Sequence, residues 1–414
     1  MSRQSFFKLM LIMAAWSLCS ICSAQQYVLQ ALQVADMEFQ KKHFAVALEA
    51  YQFYNTRGVE DNRLNIQIAR CHYQLRNFES AMEYFEKTIA SNQTNLEIEQ
   101  EYIRCLMAND QYHKAKLRLL LQPTDTLIVS LISVCDSATI WKNNPTCTVV
   151  NLSTVNTIYS DMAPSPYKNG IAFCSNRTGI SIKKQSERDA MPLYDLYTTT
   201  PTSKGLWAKP TLFSSKLNSS QNEGPLCFNH TGDTVYFSRN DEVSPQSHLK
   251  MYRSVKVGNT WSKPQSFMLN DTSASFAHPS IAADGKMFFF TSNMKGGLGG
   301  TDIYACVLLD SSWSMPINLG SAINTVGNEI FPRINADGNL YFASDGHIGM
   351  GGFDLFISKQ ISGEWQKAEN LKSPINSGAD DFGYVQSQTG KGYLTSNRKG
   401  GKGDDDIYEV LFSK

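Results

Sequence analysis

The chain has no excess of either charge and no long apolar segment after its first residues. Its 414 residues include 38 basic and 38 acidic side chains, which are interspersed along the sequence. Nucleic-acid-binding and polybasic membrane-binding proteins concentrate positive charge, so this pattern argues against both kinds of partner. No later run of apolar residues is long enough for a transmembrane helix. The mature chain is therefore expected to be soluble or peripheral, with no transmembrane span.

The sequence also lacks the short motifs of common enzyme classes. The seven histidines are scattered, without a metal-binding spacing such as HExxH. No GxSxG nucleophile elbow occurs, and no phosphate-loop GxxxxGK[ST] motif occurs at the Gly-rich segments 296–300, 349–352 and 400–403. Glycine at these points is better explained by tight connections between strands that need positive φ. The sequence predicts no enzymatic activity and no cofactor.

Cysteine is sparse, and the number left after removal of a leader is odd. Without Cys19 and Cys22, seven remain: Cys71, Cys105, Cys135, Cys147, Cys174, Cys227 and Cys306. An odd number in an exported chain cannot be wholly paired. Cys71 and Cys105 hold the same place in adjacent helical repeats and are predicted to be core residues. Cys135 and Cys147 flank a short connector and are the best candidates for a disulfide.

Residues 1–24 have the pattern of a secretory signal peptide. Two basic residues precede the apolar run Leu9 to Leu18, and small residues follow up to Ala24, after which cleavage is expected. This pattern predicts export, with a location in the periplasm or at the periphery of an outer membrane. Lipidation at Cys19 or Cys22 is a weaker alternative, because a large apolar residue precedes each of them.

Residues 25–121 show helical periodicity with a repeat of 34 residues. Three tracks keep this spacing: Phe44, Phe78 and Tyr112; Ala47, Ala81 and Ala115; Tyr51, Phe85 and Leu119. The order aromatic, Ala, bulky apolar resembles the second helix of tetratricopeptide repeats, although the usual proline after that helix is missing. The resemblance implies an α-solenoid whose groove binds a peptide or partner helix; a spacer is the alternative. Residues 122–147 are predicted to be a connector with a helix at 127–141.

The remainder, 148–414, has a longer period. Four tryptophans recur at intervals of 54, 52 and 52 residues: Trp207, Trp261, Trp313 and Trp365. Acid–aliphatic–aromatic triplets recur with them and start at Asp195, Asp302, Asp354 and Asp406. Short β-rich runs with a fixed period near 50 are typical of β-propeller blades, and five blades fit. The last blade lacks its Trp strand, and residues 148–157 are predicted to supply it, which closes the ring from both chain ends.

These repeats resemble the WD40-like repeats of TolB-type β-propellers. A leader, tetratricopeptide repeats and such a propeller together resemble envelope proteins of Bacteroidota that are linked to type IX secretion, where an OmpA-like peptidoglycan-binding domain usually follows. The sequence shows no OmpA-like segment before Lys414. Peptidoglycan attachment is therefore expected only indirectly, through another protein. The predicted fold is multidomain, an α-solenoid followed by an all-β five-bladed propeller.

Acidic residues at the starts of four blades are the main candidate ligand site. Asp161, Glu223, Glu329 and Asp381 precede the first strands, which line the central channel of a propeller, and only the third blade differs, with Phe276 there and His278 close by. Carboxylates that converge on a channel mouth can hold a cation or a small ligand, or cleave a glycoside. The alternative is that each acid caps its own blade, because a catalytic pair needs two unlike environments and these four look alike.

A calcium site is a second hypothesis. Asp302, Asp354 and Asp406 supply one acid per blade, and Asp404, Asp405 and Asp406 form the most acidic cluster in the chain. Oxygen ligands suit Ca²⁺, but an Asp that accepts N–H groups of a turn would stabilise every blade in the same way. The sequence as a whole predicts an exported scaffold for envelope proteins or peptides. The alternative function is a propeller that binds, or hydrolyses, a glycan or binds a cation.

Overall fold

The computed structural model describes residues 32–55, 61–91, 95–178, 192–240, 248–267, 273–310, 312–387 and 390–412. The predicted signal peptide lies outside these residues. In the described part of the chain, no helix is both long and apolar enough to cross a membrane. The predicted fold class is confirmed: a helical N-terminal region precedes a five-bladed β-propeller that is closed by strands from both of its ends.

Seven helices precede the first strand in the described residues. They are α1 (32–40), α2 (Phe44–Asn55), α3 (Asn62–Gln74), α4 (Phe78–Ala90), α5 (Leu96–Ala108), α6 (Tyr112–Leu119) and α7 (Thr126–Asn143). Side chains of Asp61, Asn95 and Asp125 cap three of them by accepting N–H groups of the first turn. The chain forms two compact units, one with the helices up to Ala108 and the other with α6, α7 and the strands. The helix predicted at 127–141 is confirmed as α7.

The three helical tracks found in the sequence occupy equivalent places. Phe44, Phe78 and Tyr112 are the first residues of α2, α4 and α6. The three alanines of the second track, and the bulky residues of the third, are all buried. A buried Ala leaves room for a neighbouring helix to approach closely, which explains why the small residue recurs at this place.

The strands form five four-stranded blades with additional short pairings. Blade 1 contains β2 (Asp161–Tyr167), β3 (Gly170–Ser175), β4 (Asp195–Thr199) and β5 (Thr211–Leu212). Blade 2 contains β6 (Glu223–Phe228), β7 (Thr234–Asn240), β8 (Leu249–Val257), β9 (Thr260–Trp261) and β10 (Gln265–Ser266). Blade 3 contains β11 (Phe276–Ile281), β12 (Met287–Ser292), β13 (Asp302–Leu309), β14 (Ser312–Trp313) and β15 (Ile317–Asn318).

Blades 4 and 5 complete the ring. Blade 4 contains β16 (Glu329–Ile334), β17 (Leu340–Ser344), β18 (Asp354–Ser358) and β21 (Glu369–Asn370), with the hairpin β19 (Gln360–Ile361) and β20 (Glu364–Trp365). Blade 5 contains β22 (Asp381–Gln386), β23 (Gly392–Ser396), β24 (Asp406–Phe412) and β1 (Cys147–Asn151). The pairing of β1 with β24 is antiparallel and runs from Cys147 opposite Phe412 to Asn151 opposite Tyr408. The predicted closure from both chain ends is therefore confirmed.

Each recurring tryptophan packs against an aromatic residue of the preceding blade. The ring centroids are 6.0–6.5 Å apart in the pairs Trp207–Tyr393, Trp261–Tyr167, Trp313–Phe267 and Trp365–Phe289. Aromatic pairs at such distances are favourable beyond the area that they bury. The tryptophan period therefore reflects contacts between blades.

An asparagine side chain clamps the third strand in four of the blades. The side-chain amides of Asn156, Asn218, Asn324 and Asn376 each bond to both the N–H and the C=O of the middle triplet residue, at 2.8–3.2 Å. These middle residues are Ile407, Leu196, Ile303 and Leu355. One side chain thus satisfies two backbone groups of the third strand that lie beyond its last residue pair with the outer strand. This contact explains the Asn that recurs in the sequence between the Trp strand and the next blade.

The predicted disulfide is wrong. All seven cysteines in the described residues are free and buried. Cys135 lies in α7, whereas Cys147 packs in the propeller core with Ala163 and Leu196. Burial raises the pKa of the Cys135 thiol to about 11, which keeps it protonated. Cys71 and Cys105 are core residues, as predicted.

Candidate functional site

Four blades begin with a carboxylate that is fully buried and bonded within its own blade. Asp161, Glu223, Glu329 and Asp381 have no exposed surface. Each accepts the backbone N–H of the residue four positions earlier, at 2.6–3.0 Å, and the hydroxyl of the same residue. These donors are Thr157, Ser219, Thr325 and Ser377. The arrangement is a cap on the turn into the first strand, and it occupies carboxylate oxygens that a ligand would need.

Three of these acids are paired with an arginine that the sequence analysis did not single out. Arg177, Arg239 and Arg398 form ion pairs with Asp161, Glu223 and Asp381. Each guanidinium also donates to a backbone carbonyl at 2.6–2.9 Å. Its central carbon lies 4.8–5.2 Å from the centroid of at least one aromatic ring. The repeated letters Ser-Asn-Arg at 175–177 and 396–398 were the signal available in the sequence.

The third blade lacks both members of this pair. Phe276 stands opposite Ser292 in the register where the other blades have the acid, and Met294 follows Asn293 where Arg177 follows Asn176. Both apolar side chains belong to one core cluster. In blade 3 the acid and the arginine are therefore absent together, which leaves neither charge buried without its partner.

The fourth blade keeps the acid but replaces the arginine with a histidine. His347 Nε2 lies 2.7 Å from the carbonyl of Ile323, which corresponds to the carbonyls bound by the arginines. Its ring lies 5.0 Å from that of Phe356. Among the residues that the structure describes, Glu329 therefore has no arginine partner, and burial raises the pKa of its carboxyl above the usual value.

The missing arginine predicts a pH effect that is specific to Glu329. Because its pKa is higher in the folded than in the unfolded protein, proton binding stabilises the fold. That stabilisation is complete below the ordinary value of 4.5 and is lost as the pH rises through the folded-state pKa. In urea unfolding between about pH 7 and pH 4.5, wild type should gain stability relative to Glu329→Gln as the pH falls. Parallel stability curves for the two proteins would contradict this assignment.

The propeller axis is packed with side chains. The first strand of every blade contains a bulge with a residue of positive φ: Ala163, Gly224, His278, Phe331 and Gly383. The rings of His278 and Phe331 stack at 3.9 Å, and Phe382 lies 4.9 Å beyond. A Cβ on Gly383 would lie only 3.5 Å from Ala163 and 3.7 Å from Phe331. Since the first strands approach each other this closely, the four acids do not face a wide channel.

His278 is part of this aromatic stack. The ring Nδ1 of His278 accepts the backbone N–H of Phe331 at 3.3 Å. The backbone N–H of His278 donates to Ser238 Oγ at 3.2 Å. Burial, with a smaller contribution from Arg333, lowers the pKa of His278 to about 3. The imidazole is therefore neutral at physiological pH. The structure gives it a packing role at the axis, and ligand binding by His278 and the four acids stays a prediction.

The aspartates of the Gly-rich loops accept turn N–H groups. Asp302 accepts those of Leu298 and Gly299 at 2.5 and 3.2 Å, and Asp354 and Asp406 do the same in their own loops. Of the acidic cluster, Asp404 is exposed, Asp405 is half-buried and bonded to Ser160, and Asp406 is buried. Burial raises the pKa of Asp405 to about 6. In the described residues, no three acidic, His or Cys side chains are arranged to hold a metal ion.

One face of the propeller carries the Gly-rich loops and the loops that lead into the first strands; we call it the glycine-loop face. Between blades 3 and 4, Gly300 donates its N–H to the carbonyl of Gly327 at 2.7 Å. Gly346 packs against the same loop. The three loops present Leu298, Val326 and Ile348, which are 48%, 88% and 41% exposed. We call these three residues the blade 3–4 cluster.

The same face is covered by the chain's own helices between blades 4 and 5. Gly378 corresponds to Val326, and its N–H donates to Asp110, just before α6, at 3.2 Å. Lys142 of α7 pairs with Asp110 at 2.7 Å, and Lys372 lies 5.7 Å from the ring of Trp141 in α7. Between blades 5 and 1 the corresponding residue is Ile158, which is 76% exposed. The glycine-loop face thus accepts helices at one junction and exposes apolar side chains at two others.

Solved structures with a similar fold include both TolB proteins and glycosidases. A candidate TolB from Agrobacterium tumefaciens is 15% identical, with a TM-score of 0.38, over 64% of this chain and 89% of that one. TolB from Acinetobacter baumannii is 17% identical, with a TM-score of 0.33, over 52% and 48%. An alpha-L-arabinofuranosidase from Podospora anserina is 10% identical, with a TM-score of 0.38, over 63% and 92%.

No protein-family model and no curated protein sequence matches the chain. These similarities, with TM-scores of 0.33–0.38, do not decide between TolB proteins and glycosidases.

Proposed function

We propose that this protein is an exported, non-enzymatic scaffold that binds a helical segment of another envelope protein on its glycine-loop face. The observation that carries the proposal is the contrast between neighbouring junctions of this face. Helices of the same chain cover the junction of blades 4 and 5, whereas Val326 is 88% exposed at the equivalent place between blades 3 and 4. Apolar side chains grouped on an exposed surface are typical of interaction sites.

The buried acids favour a scaffold over a hydrolase. A glycosidase needs two carboxyl groups that reach the substrate, one to protonate the leaving group and one to act as nucleophile or base. Here the four first-strand carboxylates are fully buried and bonded to turn N–H groups and hydroxyls, and the axis beside them is filled by aromatic rings. This geometry gives a sugar no access to the four acids.

The cellular compartment, the second binding surface and the pathway are proposed from the sequence. The leader at residues 1–24 supports export, and the helical tracks support a tetratricopeptide-like groove as a second binding surface. Their combination with a TolB-like propeller supports a role in the periplasm or at the outer membrane, in a complex for secretion or gliding-type motility.

Site-specific photo-crosslinking in the native cell envelope tests the proposal. A photoreactive residue at Val326 should give a discrete protein adduct. The matched control is Leu309, which is also exposed and apolar but lies at the opposite end of β13 from the Gly-rich loop. Adducts of the same kind and yield from both positions, or from neither, would count against the glycine-loop face.

The exposed position of Val326 also allows a test by substitution. Val326→Asp should leave the melting temperature unchanged, because its side chain is largely in solvent, and should lower recovery of the crosslinked partner by roughly tenfold. The measurement is co-purification from detergent-solubilised envelopes. Leu309→Asp is the control and should retain the partner.

A further inference from the structure

The hairpins that follow the third strands lie at the end of the propeller opposite to the glycine-loop face, and we call this end the hairpin face. In each of blades 1–4, one apolar side chain of this hairpin is largely exposed. The four residues are 56–63% exposed: Leu206, Val257, Leu309 and Ile361. Since the third strands run in the same direction in every blade, these side chains lie at the same end of the propeller.

Blades 1 and 2 carry an excess of positive charge in this region. Residues 197–213 and 252–267, from the third strand through the outer strand, contain five basic residues and no acidic residue. The five are Lys204, Lys209, Arg253, Lys256 and Lys263. The equivalent segment of blade 3, 304–319, has one acid and no base, and that of blade 4, 356–371, has two of each. The equal numbers of acidic and basic residues in the whole chain therefore conceal a local excess.

Four aromatic rings join the two blades in this region. Tyr167 and Phe213 from blade 1 meet Phe228 and Trp261 from blade 2, and every pair of these ring centroids is 4.6–6.5 Å apart. Trp261 is buried, whereas the other three rings are partly exposed. The two hairpins therefore belong to one packed surface that is aromatic at its base.

Three lysines lie around these rings. Lys168 Nζ is 5.4 Å from the centroid of the Tyr167 ring, and Lys256 in β8 lies opposite the tryptophan of β9. Lys216, which follows blade 1, donates to the hydroxyl of Thr260 in the blade 2 hairpin at 3.5 Å. Basic side chains of both blades are thus brought together beside exposed apolar ones.

Lysine, aromatic and exposed aliphatic side chains on one surface are the combination that suits a membrane interface. Lysine keeps its charged head at the lipid phosphates while its apolar stem lies against the headgroup region, and partly exposed aromatic rings suit the same depth. An acidic peptide would pair with the lysines but has no place for two aliphatic side chains at separate hairpins. A flat bilayer surface contacts both hairpins at once.

We propose that the hairpin face of blades 1 and 2 binds the surface of a lipid bilayer that contains anionic phospholipids. Leu206 and Val257 enter the boundary between headgroups and acyl chains, and the surrounding lysines contact lipid phosphates. The glycine-loop face lies at the other end of the propeller, so the membrane-bound protein can still present it to a protein partner.

Co-sedimentation with vesicles tests the charged part of this surface. Protein purified after export should bind vesicles of phosphatidylglycerol and phosphatidylcholine, mixed in about a 1:2 ratio, and should not bind vesicles of phosphatidylcholine alone. Glutamine at three exposed lysines of the surface should weaken binding by roughly 100-fold: Lys204→Gln, Lys209→Gln and Lys263→Gln. The matched control removes the same charge at exposed lysines elsewhere and should bind within about threefold of wild type: Lys295→Gln, Lys359→Gln and Lys367→Gln.

The apolar side chains distinguish a bilayer from a soluble polyanion. The double variant Leu206→Ser/Val257→Ser should bind the mixed vesicles roughly tenfold more weakly than wild type, yet bind dextran sulfate as wild type does. Leu298→Ser/Val326→Ser, the same kind of change on the glycine-loop face, should bind the vesicles as wild type does.

Three results would overturn the proposal. Equal vesicle affinities of wild type and Leu206→Ser/Val257→Ser would show a site for polyanions in general. Equal binding to vesicles with and without phosphatidylglycerol would remove the role of the lysines. Equal affinities of the two lysine variants would mean that blades 1 and 2 do not provide the contact.

Discussion

Replacing Asp381 with alanine is expected to lower the free energy of unfolding by about 3–5 kcal/mol. The carboxylate is fully buried, accepts the N–H and the hydroxyl of Ser377 at 2.6 and 2.8 Å, and pairs with Arg398. Its removal leaves the guanidinium in the interior without a counter-ion and also removes the cap on the turn into β22. Urea denaturation followed by tryptophan fluorescence measures the change.

Asp337→Ala is the matched control for this experiment. Asp337 lies in the exposed turn between β16 and β17, so the same chemical change should alter stability by less than about 0.5 kcal/mol. A loss of under about 1 kcal/mol for Asp381→Ala would mean that Asp381 contributes little to the fold. The first-strand acids would then have to be reconsidered as a ligand site.

The sequence alone was sufficient to predict the propeller and its closure. The near-constant spacing of Trp207, Trp261, Trp313 and Trp365 exists because each ring packs against the preceding blade. The similarity of residues 151–157 to 318–324 was informative for a related reason, since Asn156 and Asn324 form the same clamp in different blades. Repetition of a contact produces repetition in sequence, so these features were readable.

The role of the acids was harder to read from the sequence, because their repetition does not show where the side chains point. The bulge with positive φ at His278 and Phe331 brings both rings onto the axis, and no periodic pattern predicts it, since the other blades have Ala or Gly there. The spacing along the chain also varies, since Glu223 lies two residues before Pro225 whereas Asp161 lies three residues before Pro164. In the sheet, Glu223 lies opposite Arg239 of the neighbouring strand.

Departures from the repeat mark the places where this propeller differs from a uniform ring. In blade 4, His347 replaces the arginine that pairs with the first-strand acid in three other blades. Arg333 in the first strand of the same blade replaces a small or apolar residue. The exposed Val326 lies in the loop that leads into the same blade. The pH dependence and the binding surface inferred above on the glycine-loop face therefore both concern blade 4 and its boundary with blade 3.

Replacing Val150 with proline is expected to cost about 3 kcal/mol or more, because it opens the ring at β1. The N–H of Leu152 donates to the carbonyl of Ile407, and N–H groups two residues apart on a strand point the same way. The N–H of Val150 therefore faces β24, opposite Glu409. Proline removes this hydrogen bond from the pairing that joins the two ends of the propeller.

Val150→Ala separates the backbone effect from the side-chain effect at the same position. Val150 is partly exposed, so alanine should cost less than about 1 kcal/mol while it keeps the hydrogen bond to β24. Urea unfolding compares the two variants, and amide hydrogen exchange in β24 shows whether the strand has lost its outer partner. Equal stability of the two variants would mean that β1 contributes no pairing energy. A large difference would show that blade 5 depends on β1, which precedes β22–β24 in the sequence by a full circuit of the propeller.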